Sequence, residues 1–468
     1  MIPAQKKLYL IAFLFLLPMV TTTQLAEFTA APHQDHLSVE SATNKINQFK
    51  SQKTTHALAN TPQTKTPTVY NFPKPSGEHA VGTVRYHMID RDRLDPYDKT
   101  LFRELMVQVW YPTAQKNTEL TSHGHYLPEL MPHMKRMANN MFNLPQAVLD
   151  YLLVDIKCHA YDGAPLLERK QKFPVIVLCH GLSSMAALHT TQAENLASHG
   201  YVVFGINHTF TCSFSIFPDG RIYQSKFDWQ ASDRIKELPK IVALWQEDVS
   251  FVLSCIEGLE AEKYADLQEK DENMFYHKLD ITKIGMLGHS MGGATTTQVL
   301  RHDDRVKAGI NLDGPLLGPN YDEEFKKPYM VMVAENSLKR TNASFTDQEL
   351  LARGMSREEE EYLRQVFKFG LPNLCSNIRS TGAEAYYVFV HGAGHNTFTD
   401  VPLVKDASFL LSFLEYFGLN TGTIAPLRAV RIINELIVDF FNKHLLRKPA
   451  VLLEMTHKNP FEDIVISR

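Results

Sequence analysis

The sequence predicts an α/β fold in which a mostly parallel central sheet carries helices on both faces. From Phe173 onward, short apolar runs rich in β-branched residues alternate with helical patterns, as they do in βα units. Polar residues follow four of these runs, at His180, Ser290, Asp313 and His395. Ligands of parallel sheets bind beyond the carboxyl ends of the strands, so these four positions are candidate site residues.

Length and charge limit the classes of protein that the chain could belong to. It has 468 residues, 44% of them hydrophobic, which suits one large domain with extensions. Lys and Arg number 48 against 52 Asp and Glu, a net charge of -4, so nothing in the charge favours a nucleic-acid partner. The sequence has neither zinc-type Cys/His spacing nor a Gly-rich phosphate loop, and it predicts no metal and no cofactor.

Residues 1–26 have the pattern of a secretory signal peptide. Lys6 and Lys7 precede the apolar run LYLIAFLFLLPMV, which polar and small residues follow. The uncharged stretch would also fit an N-terminal membrane anchor of marginal length, although Pro18 and the threonines weaken this alternative. We therefore expect a secreted or periplasmic protein that is cleaved downstream of Val20.

The remaining chain divides into a leading segment, one domain and a tail. Residues 27–75 are polar and without strong periodicity, and they predict a flexible segment. The domain spans 76–448, with insertions near 120–160 and 339–375, and the C-terminal tail spans 449–468. The first insertion carries methionines at helical spacing, which fits a lid, a membrane contact or packing on the sheet.

The elements of the domain are predicted in order from these patterns. HAVGTVRYHMIDRDR and RELMVQVWYP predict two strands of a hairpin or meander. The parallel strands are expected in FPVIVLCHG, LASHGYVVFGINH, ITKIGMLGHS, DRVKAGINLDG, KPYMVMVAEN and AYYVFVHGAGH. FTDQELLARGMSREEEEYLRQVFKF predicts two charged amphipathic helices, and PLRAVRIINELIVDFFNKHLL predicts an apolar helix packed on the sheet.

The five cysteines allow at most two disulfides and leave one thiol over. Cys179 lies inside a predicted buried strand and is expected to be a small core residue. The others are Cys158, Cys212, Cys255 and Cys375.

Gly288-His289-Ser290-Met291-Gly292 matches the G-x-S-x-G nucleophile elbow, with a strand before it and a helix after it. The turn at such a serine is strained, and side chains two residues away on either side would collide with the neighbouring strand and helix. The serine hydroxyl would be exposed at a helix N-terminus, where the backbone dipole favours developing negative charge. The motif predicts the α/β-hydrolase fold with Ser290 as the nucleophile.

A serine nucleophile needs a base, and His395 is the best candidate. It lies on a Gly-rich loop after the last predicted strand, as the chain order Ser, acid, His of this fold requires. His391 still belongs to the strand end, and His289 is expected to point away from the elbow.

Two carboxylates compete for the role of the acid. Asp313 ends AGINLDG and Glu335 ends the next strand, MVMVAEN. Either one could instead be a helix cap or a loop carboxylate. The oxyanion hole needs two backbone N–H groups, which we expect from Met291, after the nucleophile, and from Leu182, in the loop after VIVLCHGL.

The segments FPVIVLCHGLSS, LASHGYVVFGINH, GHSMGGAT, GINLDGPLLGP and GAGHNTFTD together resemble the platelet-activating-factor acetylhydrolase family, over roughly residues 80–446. The resemblance implies that Asp313 rather than Glu335 is the acid. It also implies His395 as the base and Leu182 and Met291 as the oxyanion donors. The two insertions depart from the family pattern, so the mechanism carries over but the substrate does not follow from it.

The sequence thus predicts a secreted serine ester hydrolase that works through an acyl-enzyme. For the substrate we hypothesise short-acyl or oxidised phospholipids, to which the resemblance points, met at a membrane or lipid-particle surface. A general carboxylesterase and a cutinase-type polyesterase are the alternative enzymes. A non-catalytic binding protein of the same fold is the alternative from another class, and the intact Ser, acid and His argue against it.

Overall fold

The structure of the chain is a computed structural model, which describes residues 70–114, 156–229, 231, 234–262, 273–318, 323–342, 345–352, 356–365, 370–407, 420–454 and 461–468. The predicted signal peptide, nearly all of the predicted flexible segment and most of the first insertion lie outside these residues. Among the described residues, none of the helices combines the length and the hydropathy that a membrane crossing requires.

The strands, numbered in chain order, are β1 (Tyr70–Asn71), β2 (Ala80–Leu94), β3 (Phe102–Thr113), β4 (Ile156–Lys157), β5 (Ala160–Asp162), β6 (Phe173–Cys179), β7 (Val202–Asn207), β8 (Phe214–Ile216), β9 (Ile222–Gln224), β10 (Leu279–His289), β11 (Val306–Leu312), β12 (Tyr329–Ala334), β13 (Ala385–Val390) and β14 (Ile464–Ser467). Within the described part of the chain, ten of them form one sheet in the order β14-β13-β12-β11-β10-β6-β7-β3-β2-β5. The neighbours from β13 to β7 are parallel, which confirms the predicted mostly parallel sheet.

The predicted meander forms the other end of this sheet. β2 and β3 pair antiparallel from Ala80 opposite Thr113 to Leu94 opposite Phe102. β3 then pairs antiparallel with β7, which joins the meander to the parallel strands. Every residue of β6 is buried, because helices cover both faces of the parallel region, and this explains its unbroken apolar sequence.

The α-helices, numbered in the same way, are α1 (Thr190–Ser198), α2 (Arg234–Ala261), α3 (Met291–His302), α4 (Glu335–Asn342), α5 (Asp347–Ala352), α6 (Arg357–Arg364), α7 (Leu371–Ser380), α8 (Val401–Ala407) and α9 (Pro426–Leu446). The two predicted charged helices of the second insertion correspond to α5 and α6. The predicted apolar helix corresponds to α9, which packs on β10: a Cβ added at Gly285 would lie 2.5 Å from the Phe441 ring.

Alternate residues of the parallel strands face two separate apolar cores, one on each side of the sheet. Val175 and Val177 of β6 face the core that includes residues of α2, α3 and α7. Ile176 and Leu178 face the core that includes residues of α1 and α9. The layers on both faces hold the strand ends in place, and the candidate site is built on those ends.

The structure also describes the predicted C-terminal tail and the five cysteines. The segment predicted as a C-terminal tail contributes β14, which pairs antiparallel with β13 at the edge of the sheet. All five cysteines are buried and lie outside any disulfide, so neither of the two disulfides that the count allows is formed.

Candidate active site

The predicted elbow lies between β10 and α3, at the carboxyl end of the parallel sheet. Ser290 has a φ of 55° and a ψ of -118°, the strained conformation expected of a nucleophile turn. A Cβ added at Gly288 would lie 2.0 Å from the Gly292 carbonyl oxygen, and one added at Gly292 would lie 2.3 Å from the Cys179 carbonyl oxygen. Both distances are impossible between real atoms, so the turn requires glycine at both positions.

The structure brings the three predicted side chains into one hydrogen-bonded row. The Ser290 Oγ lies 2.9 Å from the His395 Nε2, and the His395 Nδ1 lies 2.7 Å from the Asp313 Oδ2. Asp313 is fully buried, whereas the side chain of His395 is 32% exposed. The row therefore runs from a buried carboxylate to a half-buried serine, which is the geometry of a serine nucleophile with its base.

Asp313 accepts hydrogen bonds from two further donors. Its Oδ1 accepts the Ala334 N–H at 2.9 Å, and its Oδ2 accepts the Ser337 hydroxyl at 2.5 Å. Ser337 lies in α4 and was not singled out from the sequence, since a serine three residues beyond a strand carries no pattern of its own. These two hydrogen bonds hold the Asp313 carboxylate in place beside the His395 ring.

Glu335, the other candidate acid, holds the histidine loop instead of the histidine ring. Its Oε2 accepts the Gly392 N–H at 2.6 Å and lies 3.9 Å from the Nδ1 of His391. The Gly392 N–H, together with Lys339, lowers the pKa of Glu335. His391, the other candidate base, is about half exposed and lies in the same contact.

The loop that carries His395 is anchored on two sides. On one side the Asn336 N–H donates to the Ala393 carbonyl at 3.1 Å. On the other side Ala393 forms a β-bridge with Gly422, and the Asn396 N–H donates to the Asn420 carbonyl at 2.8 Å. Backbone contacts with the segment of Asn336 and with the segment of Asn420 and Gly422 therefore set the position of His395.

His289 is buried beside the elbow and contacts the backbone of His395. Its Nε2 lies 2.9 Å from the His395 carbonyl oxygen, and burial lowers its pKa well below the usual value. The ring is thus a neutral donor behind the histidine loop and does not contact Ser290 as a second base. From the sequence we expect His289 to point away from the elbow, and no sequence pattern signals its contact with His395.

The turns that carry Ser290 and Asp313 are each fastened to the next strand by a backbone hydrogen bond. The Ser290 N–H donates to the Leu312 carbonyl at 2.9 Å, and the Asp313 N–H donates to the Met332 carbonyl at 2.7 Å. A Cβ added at Gly314 would lie 2.3 Å from the Ser290 carbonyl oxygen, so the two turns also touch directly. Asp313 itself has a φ of 54°.

The two predicted oxyanion donors belong to segments that meet at the serine. Met291 opens α3, and its N–H has no acceptor in the described part of the chain; the same holds for the Leu182 N–H. A Cβ added at Gly181 would lie 3.2 Å from the Ser290 Cβ, so the Leu182 loop runs against the elbow. Two free N–H groups at this place are able to stabilise a negatively charged oxygen.

The side chains of Leu182 and Met291 belong to one apolar cluster beside the site. The cluster also includes Ile241, Trp245 and Leu317, and Phe227, Trp229, Leu238 and Tyr362 pack against it. Apolar walls next to a few polar groups are typical of sites that bind small organic or lipid molecules. Among the residues that the structure describes, no group of His, Cys, Asp and Glu has the arrangement of a metal site.

Comparisons with known proteins give a family and named relatives. The family model described as platelet-activating factor acetylhydrolase, isoform II, matches residues 65–451. A platelet-activating factor acetylhydrolase of Cavia porcellus is 29% identical over 192 residues, which are 39% of this chain and 44% of that protein. A probable 1-alkyl-2-acetylglycerophosphocholine esterase of Arthroderma benhamiae is 23% identical over 418 residues, 85% of this chain and 94% of that protein.

A solved structure gives the same fold. The ferulic acid esterase from Streptomyces cinnamoneus superposes with a TM-score of 0.59 at 25% identity, and the match covers 85% of this chain and 99% of the esterase. The predicted α/β-hydrolase fold and the predicted family resemblance are therefore confirmed.

Proposed function

We propose that the chain, which belongs to the platelet-activating factor acetylhydrolase, isoform II, family, is an ester hydrolase that cleaves its substrate with Ser290, His395 and Asp313. The observation that carries the proposal is the continuous row of hydrogen bonds from the Ser290 Oγ through His395 to the buried Asp313.

In the first half of the reaction, the Ser290 Oγ attacks the ester carbonyl carbon while its proton moves to the His395 Nε2. The electron pair of the C=O bond moves onto the oxygen, which the N–H groups of Leu182 and Met291 stabilise. The tetrahedral intermediate then expels the alcohol, which takes the proton from His395. An acyl group remains on Ser290.

In the second half, a water molecule repeats the same steps on the acyl-enzyme. His395 accepts a proton from the water, the oxygen attacks the acyl carbon, and the carboxylic acid leaves as Ser290 regains its proton. Asp313 accepts the hydrogen bond from the His395 Nδ1–H and stabilises the positive charge that forms twice on His395. The chemistry uses no cofactor.

We propose glycerophospholipids with a short or oxidised acyl chain as the substrate class. The names of the Cavia and Arthroderma proteins support this choice, and the apolar cluster around Leu182 and Met291 offers a wall for a lipid chain. In this proposal the enzyme meets its substrate at a membrane or lipid-particle surface. Nucleic acid has no part in it.

A soluble carboxylic ester is the second candidate substrate. The similarity to the ferulic acid esterase, which covers 99% of that enzyme, favours a soluble ester. It shows that an enzyme whose name refers to a non-lipid ester has the same fold. Cutinase-type polyesters belong to the same alternative.

The discriminating experiment compares one short-acyl phospholipid with one soluble short-chain ester, each with and without neutral or anionic vesicles. We expect hydrolysis of the phospholipid, and a higher rate when vesicles are present. An enzyme that is indifferent to vesicles and active only on the soluble ester would overturn the lipid proposal and leave a carboxylesterase. The S290A variant serves as the blank for non-enzymatic hydrolysis.

We also propose that the chain is exported and loses residues 1–26. Lys6 and Lys7, the short apolar run and the small residues after it support this. N-terminal sequencing of the protein from producing cells should give a start downstream of Val20. An intact Met1 on a cytoplasmic species would contradict export, and an intact Met1 in the membrane fraction would favour an anchor.

A further inference from the structure

Behind the Leu182 loop lies a fully buried set of charged and polar side chains for which the proposed reaction has no use. We call it the buried arginine cluster, and its members are Arg103, Asp95, Asp248, His208 and His180. Each of them is at most 1% exposed. Buried charge is costly unless it is paired and hydrogen-bonded, so such a cluster in the core calls for a physical explanation.

Arg103 is the centre of the cluster. Its Nε and one terminal nitrogen donate to both oxygens of Asp248, at 3.0 and 2.6 Å, and the other terminal nitrogen donates to Asp95 at 2.7 Å. Burial alone would oppose ionisation of Asp248, but the charge of Arg103 and the hydrogen bond from His208 hold its pKa far below the usual range. Asp248 is therefore an ionised carboxylate that accepts hydrogen bonds only.

The carboxylate of Asp248 determines which nitrogen of His208 carries the proton. The Asp248 Oδ2 lies 2.9 Å from the His208 Nδ1, and an ionised carboxylate has no proton to donate, so His208 is protonated on Nδ1. Burial lowers the pKa of His208, and the ring is neutral. The ring also stacks on the indole of Trp245, with centroids 4.0 Å apart and planes 6° apart.

The backbone N–H of His208, rather than its ring, determines the tautomer of His180. The His208 N–H donates to the His180 Nε2 at 3.2 Å, so this nitrogen is an acceptor. Burial lowers the pKa of His180 well below its usual value, and the single ring proton is on Nδ1. The Nδ1 lies 2.6 Å from the carbonyl oxygen of Gly181, to which it donates.

The carbonyl of Gly181 belongs to the same peptide group as the N–H of Leu182. Because this group is planar, a donor that fixes the direction of the carbonyl also fixes the direction of the N–H. The Ser184 N–H donates to the same carbonyl at 3.0 Å. Two donors on one carbonyl also polarise the peptide and make its N–H a stronger donor.

Cys179, His208 and Asp248 have the appearance of a second catalytic row, but their burial argues against that role. The Cys179 Sγ lies 3.4 Å from the His208 Nε2. All three side chains are fully buried, and burial raises the pKa of the Cys179 thiol, so it is protonated and out of reach of a substrate.

We propose that His180 is a positioning residue of the oxyanion hole. Its Nδ1–H holds the Gly181–Leu182 peptide so that the Leu182 N–H faces the carbonyl oxygen of the ester that Ser290 attacks. The backbone N–H of His208 keeps His180 in the tautomer that this requires, and the buried arginine cluster holds the His208 segment in place, since Arg103 donates to the Thr209 carbonyl at 2.8 Å. The inference rests on the proposed function, in which Leu182 supplies one of the two oxyanion donors. The buried arginine cluster thus connects the β3 end of the sheet to the reacting centre.

The test compares His180→Leu with His180→Asn. The Asn side chain places an amide N–H where the Nδ1–H of histidine lies, whereas Leu offers no donor. Removing an oxyanion donor costs about 10²–10³ in kcat, and a donor that is only misdirected should cost less. We expect H180L to lose about 10- to 100-fold in kcat with little change in KM, and H180N to stay within about fivefold of the wild type.

A second readout separates this role from a loss of stability. Sulfur accepts hydrogen bonds weakly, so a thionoester gains less from the oxyanion hole than the matching oxygen ester. The ratio of kcat/KM for the oxygen ester to that for the thionoester should fall in H180L and be restored in H180N. The matched control is His87→Gln, since His87 is a buried histidine whose Nε2 contacts Glu104 at 2.9 Å, away from the Leu182 loop. Its ratio should equal that of the wild type.

The outcomes distinguish this inference from the function on which it rests. A folded, active H180L with the wild-type ratio overturns the inference and leaves the proposed function standing. A wild-type protein that hydrolyses neither ester overturns both. If H180L does not fold, the ¹⁵N spectrum of the histidine-labelled wild type decides, with the His180 signals assigned by their absence from H180N. Protonation of His180 on Nδ1 supports the inference, and protonation on Nε2 overturns it.

Discussion

Replacement of Asp313 by Asn tests the acid of the proposed triad, and the contacts of Asp313 predict how the amide would be oriented. The Oδ1 accepts the Ala334 N–H at 2.9 Å, so the amide oxygen of Asn must occupy this position. The amide nitrogen then takes the place of the Oδ2, which faces the His395 Nδ1 at 2.7 Å. It would donate to His395, whose proton would move to Nε2, and the base could no longer accept the proton of Ser290.

The expected loss follows from this change of tautomer. In the serine-protease triad, a change from Asp to Asn that leaves the geometry intact lowers kcat by about 10⁴, and we expect the same order for D313N. This corresponds to about 5.4 kcal/mol of transition-state stabilisation. The hydroxyl of Ser337, which donates to the Oδ2 at 2.5 Å, could accept from the new amide, so the fold should tolerate the substitution.

The assay is kcat/KM on a soluble chromogenic ester, measured together with thermal unfolding. Glu335→Gln is the matched control, since Gln keeps an oxygen for the Gly392 N–H that Glu335 accepts at 2.6 Å. We expect E335Q to retain at least a third of the wild-type activity. A folded D313N within tenfold of the wild type, or a larger loss in E335Q than in D313N, would refute the assignment of the acid.

Three further variants test other parts of the structure. Ser290→Ala should lower hydrolysis by about 10⁴–10⁶ and leave the melting temperature within a few degrees, and a tenth of the activity remaining would disprove the nucleophile. Gly292→Ala places a Cβ 2.3 Å from the Cys179 carbonyl oxygen, and it should lower the free energy of unfolding by about 1–3 kcal/mol in denaturant titrations, whereas wild-type stability would contradict the close approach. Burial raises the pKa of Glu194 to about 8 from 4.5, so its contribution to stability is complete below pH 4.5 and is lost as the pH rises to about 8. Glu194→Gln should flatten the fall of the unfolding free energy over this interval, and an unchanged slope would show that Glu194 is not its source.

The elements that bear the site could be predicted from the sequence because their signals are local. Each parallel strand is a short apolar run, and the glycines of the elbow stand two residues from the serine because the turn is strained there. The polar residues that end these runs meet because all the strands point in the same direction. The resemblance to a family then separated Asp313 from Glu335, which strand position alone left open.

The supporting contacts could not be predicted because they join residues that are far apart in the chain. Arg103 and Asp248 are separated by 145 positions, and nothing near either of them signals a buried partner. Arg103 stands at the start of the predicted strand RELMVQV, where an arginine is expected to face solvent. Only the structure shows that its side chain is buried. The edge strand Ile464–Ser467 was predicted as part of a tail, since four residues near the end of the chain form a weak pattern.

The backbone fastening of the two turns has a consequence for how the protein tolerates sequence change. The Ser290 turn is held by the Leu312 carbonyl and the Asp313 turn by the Met332 carbonyl, and main-chain groups are present whatever side chain occupies the position. Point substitutions at Leu312 or Met332 therefore leave these two restraints in place. Mutational sensitivity should concentrate at Gly288, Gly292 and Gly314, where only a missing Cβ permits the contact. Substitutions elsewhere in the walls of the site should change the preference for one ester or another. They should leave the distance between Ser290 and Asp313 as it is.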